Sequence, residues 1–117
     1  MNKEYQNAQD VTAEMIREWE ERHGKVEIID VPVSDELSDK VATFYLRRPT
    51  RMIVTEMAKL ASANELDRAN NLMIKNCVLG GDMIYLDAVD GEDSIYYAVL
   101  EAIGQLIEKK KATFRTR

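Results

Sequence analysis

Few side chains of this sequence combine a type and a spacing that could support catalysis. There is one histidine, His23, and one cysteine, Cys77. Such a pair could form a nucleophile with its general base. However, Cys77 falls on the apolar side of a predicted helix, where free cysteine behaves as a small hydrophobic residue. The favoured interpretation places Cys77 in the core and His23 in the last turn of a helix, where a cationic side chain is favourable.

Acidic residues are concentrated in one stretch, which raises the hypothesis of a metal-dependent enzyme with ligands at Asp82, Asp87, Asp90 and Asp93. The spacing does not match a calcium-binding EF-hand loop, which needs a glycine at its sixth position and a glutamate at its twelfth. It favours instead a turn at Asp90-Gly91, followed by the carboxylate-rich start of a helix. The pair Gly80-Gly81 has no lysine after it, as a phosphate-binding loop would, and predicts the end of a helix.

A basic group at the end of a predicted strand is the best candidate for a contact surface. It consists of Arg47, Arg48 and Arg51, with Tyr45 beside them. Arginines next to free backbone N–H groups can bind an anion or the carboxylates of a partner. The alternative is that the chain's own acidic residues pair with them. We predict a protein-binding surface at these four residues, and no catalytic, cofactor-binding or metal-binding residues.

Length and charge limit the class of protein. The 117 residues fit a single domain, 1–117, and a chain of this size buries roughly 65% of its unfolded surface without help from disulfides. Five of the 16 basic residues follow Glu108, which leaves 11 basic against 21 acidic residues up to that position. An acidic body disfavours nucleic acid, whose binding depends on Lys and Arg contacts to phosphates. The lone cysteine and the lack of an apolar span or signal peptide predict a cytoplasmic protein without a membrane partner.

Hydrophobic periodicity predicts an α+β fold, helix-rich, with about four helices packed on a two-stranded antiparallel β-hairpin. The N-terminal helix falls within 1–24, beginning at an Asp10 cap and ending at His23-Gly24. Alternating β-branched residues predict strands at 25–33 and 40–47, which form the hairpin 25–48 through a polar connection over 34–39. The second strand is apolar on both faces, so we expect helices on one face and a partner strand or subunit over part of the other.

A helical region is predicted over 49–111. Pro49 opens its first helix, which runs to about Ala63. A second helix carries Leu66 to Cys77 and stops at the glycine pair, and the short connection makes the two an αα-hairpin. Residues 83–89 fit either a helical turn or an extended piece. The last helix is capped by Asp93 or Ser94 and ends in lysines 109–111, and 112–117 form a frayed basic tail.

Two short motifs resemble those of a known family. The first is Phe44 with Arg48-Pro49-Thr50-Arg51, and the second is Asn76-Cys77-Val78-Leu79-Gly80-Gly81-Asp82. A helix pair separates them, and an amphipathic helix ending in lysines follows. This pattern resembles the small tail-assembly chaperones of phages and prophages over residues 40–111, whereas 1–33 have no counterpart. The resemblance implies a non-enzymatic protein of the bacterial host cytoplasm that holds a tape-measure protein and delivers it to tail-tube subunits.

Methionines give this hypothesis limited physical support, because flexible Met-rich surfaces bind varied apolar helices. The alternative is a small self-associating structural or regulatory module of a mobile element. In that case the strand at 40–47 would pair edge to edge in a homo-oligomer. Neither hypothesis involves a cofactor, nucleic acid or a membrane.

Overall fold

The computed structural model describes residues 4–33, 39–107 and 112–117. Residues 34–38 of the predicted connection and the predicted lysine-rich end of the last helix therefore lie outside the described residues. The described elements are α1 (Ala13–His23), β1 (Val26–Pro32), β2 (Val41–Arg47), α2 (Arg51–Ser62), α3 (Leu66–Cys77), β3 (Val78–Gly81) and α4 (Asp93–Gln105). Two short 3₁₀ turns, at Ala8–Asp10 and Met83–Leu86, precede α1 and follow β3. Residues 112–117 are exposed and form no helix or strand.

The three strands form one antiparallel sheet with β2 in the centre, in the order β1-β2-β3. The α+β class and the pairing of the first two strands are confirmed, but the two-stranded count is wrong. Residues 78–81, predicted as the end of a helix, form a third strand in which Gly81 lies opposite Phe44. Two of its four residues are glycines, so it has too few side chains to show the alternation by which a strand is recognised.

Helix starts differ from the prediction because neighbouring residues compete for the cap position. Thr12, not Asp10, caps α1, and its hydroxyl accepts the N–H of Met15 at 3.1 Å. Asp10 instead closes the preceding 3₁₀ turn, since its carboxylate accepts the N–H of Asn7 at 2.9 Å. At the start of α4 the cap position belongs to Glu92, so the expected cap at Asp93 or Ser94 is wrong.

Proline 49 lies one residue before the cap of α2 and not at the first helical position. Its side chain is buried, and the next residue, Thr50, accepts the N–H of Ile53 at 3.3 Å through its hydroxyl. The first helical residue is Arg51. The motif Arg-Pro-Thr-Arg is therefore the junction between a strand and a helix, with an apolar anchor and a side-chain cap.

The core lies between the inner face of the sheet and the helices α3 and α4. The central strand contributes Ala42, Phe44 and Leu46, all fully buried, and α4 contributes a stripe of Ile95, Val99 and Ile103. Cys77 is fully buried among them, which confirms its predicted place in the core. Each large side chain buried in this way contributes about 1.5–3 kcal/mol. Helix α2 adds Ile53 alone as a buried residue and packs mainly on α3.

The opposite face of the sheet, which we call the outer face, is defined by Tyr45 and Arg47 of β2 and Gly80 of β3. Helix α1 lies over it and packs against β1. The ring centroids of Trp19 and Tyr45 are 5.9 Å apart. The shielding that the sequence predicted from a partner is thus provided, at this point, by the chain's own first helix.

Of the helices described, none has both the length and the apolar character needed to cross a membrane.

Candidate protein-binding site on the outer face of the sheet

The structure brings together only part of the predicted binding surface. Tyr45 and Arg47 are two residues apart on one strand, so they share the outer face. Arg48 follows the strand and, with His23 and Glu27 among the lining residues, borders a cavity of about 270 Å³ beside the end of α1. Arg51 is exposed at the start of α2. The predicted group is therefore divided between the outer face and the first turn of a helix.

Arg47 makes two hydrogen bonds that tie the outer face to its neighbours. Its Nε donates to the backbone oxygen of Asn76 at 2.6 Å, and its Nη1 donates to Nδ1 of His23 at 2.8 Å. A guanidinium can only donate, so Nδ1 accepts and the imidazole is neutral. Partial desolvation, and then the charges of Arg47 and Arg22, lower the pKa of His23. The partners shown for Arg47 are thus a carbonyl and an imidazole, not the carboxylates that the sequence suggested.

A glycine creates the notch in which the indole of Trp19 lies. Gly80 is directly opposite Tyr45 in the sheet. A Cβ atom at Gly80 would be 2.8 Å from Cη2 of Trp19 and 2.6 Å from Oε1 of Gln6, which is closer than real contacts allow. The missing side chain therefore leaves room for the tryptophan between α1 and the sheet.

The residues before α1 are fixed to the sheet by polar contacts. Asp82 accepts the backbone N–H of Ala8 through Oδ1 and that of Thr43 through Oδ2, both at 2.8 Å. Gln6 accepts the N–H of Gly81 through its side chain at 2.9 Å and that of Met83 through its backbone oxygen at 3.0 Å. We call residues 4–23, which include α1, the N-terminal segment.

Sequence reasoning missed Gln6, Trp19 and Asp82 as parts of this surface. The sequence placed Trp19 within the predicted first helix but gave no indication that its contact is Gly80. The one sequence feature that could have indicated this surface was Gly-Gly-Asp at 80–82, but a glycine pair is also typical of a helix end. A pairing between residues more than 70 positions apart leaves no local pattern.

Two of the acidic residues that raised the metal hypothesis accept backbone hydrogen bonds instead. Both carboxylate oxygens of Asp82 accept backbone N–H groups. Asp87 accepts the N–H groups of Val89 and Asp90 at 3.0 and 2.9 Å and so closes the predicted turn. Among the residues that the structure describes, no three His, Cys, Asp or Glu side chains are grouped so that they could hold a metal ion.

The other residue considered for catalysis, Cys77, has the environment of a core residue. Burial raises the pKa of its thiol, and the charge of Arg47 acts in the opposite direction. A thiol whose pKa is raised is protonated near neutral pH and is a poor nucleophile.

Protein-family models, curated proteins and solved structures were all compared with this chain, and none matches it. Function is therefore inferred from the motifs and from the geometry of the outer face.

Proposed function

We propose that this protein is a non-enzymatic assembly factor that binds other proteins, similar to the tail-assembly chaperones of phages and prophages. Its partners would be a tape-measure-like protein and tail-tube proteins in the bacterial cytoplasm.

The observation that carries this proposal is the position of the two motifs in the fold. They are separated in sequence by α2 and α3, yet their strands β2 and β3 are adjacent, with Leu46 opposite Val78 and Phe44 opposite Gly81. In this chain both motifs therefore lie in one continuous folded unit, β2-α2-α3-β3. This continuity supports a shared architecture with the family more strongly than either motif alone.

An exposed apolar side chain beside the motif supplies a surface suited to a protein partner. Met52 is 75% exposed next to Arg51, in the first turn of α2. Methionine adapts to apolar partners of varied shape, and arginine binds carboxylates with directional hydrogen bonds. A surface of this composition suits amphipathic helices that carry acidic residues.

Co-expression with the proteins encoded by the flanking genes, followed by purification through this chain, tests the proposal. We expect recovery of a long helical, tape-measure-like protein, reduced at least fivefold by the double variant Arg48→Glu, Arg51→Glu. The control is Arg115→Glu, Arg117→Glu, which changes the net charge equally in the exposed tail. Recovery of this chain alone, or an equal loss with both double variants, would contradict the proposal.

Self-association is the second candidate, and one observation bears on where it could occur. β2 is paired on both sides, so the strand that prompted this hypothesis has no free edge. β1 and β3 are the two edge strands; in β3 the N–H of Gly81 is bonded to Gln6, whereas Ile28 of β1 is 57% exposed. Edge pairing would therefore use β1. Light scattering should then show a dimer that Ile28→Lys disrupts, whereas a monomer over a wide concentration range would eliminate this candidate.

A further inference from the structure

Helix α1 is held on the outer face by few contacts. None of the residues of α1 is buried, whereas α4 buries three. Helix α1 contacts the outer face through the packing of Trp19 on Tyr45 and Gly80 and through the hydrogen bond between His23 and Arg47. An element with little buried apolar surface is among the first to open in a native protein.

We propose that the outer face is a docking surface for a helix of a partner protein, and that α1 occupies this surface until such a helix displaces it. This inference rests on the proposed protein-binding function and adds the place and the chemistry of recognition. The residues that α1 covers include Gly80, which belongs to a motif of the resemblance, while α1 itself has no counterpart in it.

The contacts made by α1 define what a displacing helix must present. Trp19 and His23 are four residues apart, so they lie on one side of a helix. A partner helix therefore needs an aromatic residue for the notch at Gly80 and, four residues later, an acceptor for Arg47.

A carboxylate fits the second position better than the histidine found in this chain. His23 offers Arg47 one neutral nitrogen, whereas an Asp or Glu would accept charge-assisted hydrogen bonds, which are roughly twice as strong. Helix α1 belongs to the same chain as the outer face, and this covalent attachment gives it a high effective concentration there. A carboxylate that binds Arg47 more strongly lets a separate helix compete with α1 for the outer face. The expected partner is therefore an amphipathic helix with the pattern aromatic-x-x-x-Asp/Glu.

A synthetic peptide that copies residues 12–24 with two changes, Trp19→Phe and His23→Glu, is the probe. Trp19 is the only tryptophan of the chain, so its emission in the intact protein reports displacement of α1 without interference from the peptide. Titration should shift the emission to longer wavelength, as expected for an indole entering water. The matched peptide that retains His23 should require about a fivefold higher concentration for the same shift.

Two full-length variants test the same proposal by a second measurement that does not depend on tryptophan emission. Trp19→Ala weakens the chain's own α1, and it should bind the fluorescently labelled peptide at least fivefold more tightly than the wild type, measured by anisotropy. Gly80→Val fills the notch and should abolish binding. Hydrogen exchange in α4 would verify that each variant retains its core.

Failure to bind Trp19→Ala with its core intact, or equal binding to Gly80→Val, would overturn the inference. The proposed function would survive that result if the co-expression experiment still recovered a partner through Arg48 and Arg51. In that case α1 would be a structural cover only.

Discussion

At the scale of single residues, two adjacent glycines have different roles. Gly80 lacks a side chain because Trp19 and Gln6 occupy that space, and both of these neighbours can shift. At Gly81 a Cβ would overlap the backbone oxygen of Thr43 and approach Cα of Phe44 to 2.8 Å. The φ angle of Gly81, +134°, also belongs to a region that favours glycine. The neighbouring side chains can therefore adjust to a substitution at Gly80, whereas the backbone of β2 cannot adjust to one at Gly81.

Gly81→Ala should destabilise the protein by about 2–4 kcal/mol, because it combines backbone strain with a clash against β2. The control is Gly104→Ala in α4, where a Cβ meets nothing within 4 Å. That change should leave stability unchanged or raise it by up to about 1 kcal/mol. Urea unfolding curves measure both differences, and a Gly81→Ala variant as stable as the wild type would refute the close packing of β3 on β2.

The lowered pKa of His23 makes stability depend on pH, because partial desolvation and then the charge of Arg47 disfavour its protonated form in the native state. The native state lowers the pKa of His23, so it binds the proton less tightly than the unfolded chain, whose histidine pKa is about 6.5. The contribution is therefore complete above the unfolded pKa and is lost as the pH falls through the lower native pKa.

His23→Gln tests this dependence, because glutamine does not titrate and still offers Arg47 an oxygen. We expect the wild type to lose more stability than the variant between pH 7 and pH 5, measured as urea midpoints. If the difference between the two proteins were the same at all pH values, His23 would not be the titrating group.

At the scale of elements, the sequence predicted the helices and strands that can be recognised from the hydrophobic pattern of their own residues. The helices were found from their 3.6-residue period, and β1 and β2 from alternation. β3 was missed because it exists through pairing with Phe44 and Leu46, and caps were misplaced where two candidate side chains were close in sequence. For the same reason Arg47 could be proposed as a contact residue, while its partners His23 and Asn76 could not be named.

The junction between β2 and α2 depends on the cap at Thr50. Thr50→Ala removes the hydroxyl that accepts the N–H of Ile53, and it should cost about 1 kcal/mol. No favourable interaction between an acidic side chain and the helix dipole supports this end of α2, because the helix begins at Arg51 and its first turn has no acidic side chain. Thr50→Ser keeps the hydroxyl and should stay close to the wild type in thermal or urea unfolding. Equal losses in both variants would show that the cap does not contribute.

At the scale of the whole molecule, the two faces of the sheet differ in depth of cover. The inner face is covered by the buried core, whereas the outer face is covered at Trp19 by α1, which has no buried residue. Hydrogen exchange should therefore be slowest in α4 and fastest, among the four helices, in α1. The core and the outer cover are expected to open in separate events.

The reactivity of Cys77 provides a chemical measure of how often the core opens. Because its thiol is fully buried and its pKa is raised, an aromatic disulfide reagent should modify it only when the core opens. We expect a rate at least 100-fold lower in the native protein than in urea, accelerated by Gly81→Ala and little changed by Trp19→Ala. Fast modification of the native protein, or equal acceleration by both variants, would show that the core and the outer cover do not open separately.

The contacts of Asp82 and Gln6 also set an order of events during synthesis. Ala8 and Gln6 are made first, yet their partners Asp82 and Gly81 follow 74 and 75 residues later. At ribosomal rates of roughly 5–20 residues per second, this delay is about 4–15 s. During that time the notch at Gly80 does not exist, and α1 has no place to dock. Helix α1 therefore leaves the ribosome before its docking site exists, and its tryptophan is available to other proteins before it is available to its own fold.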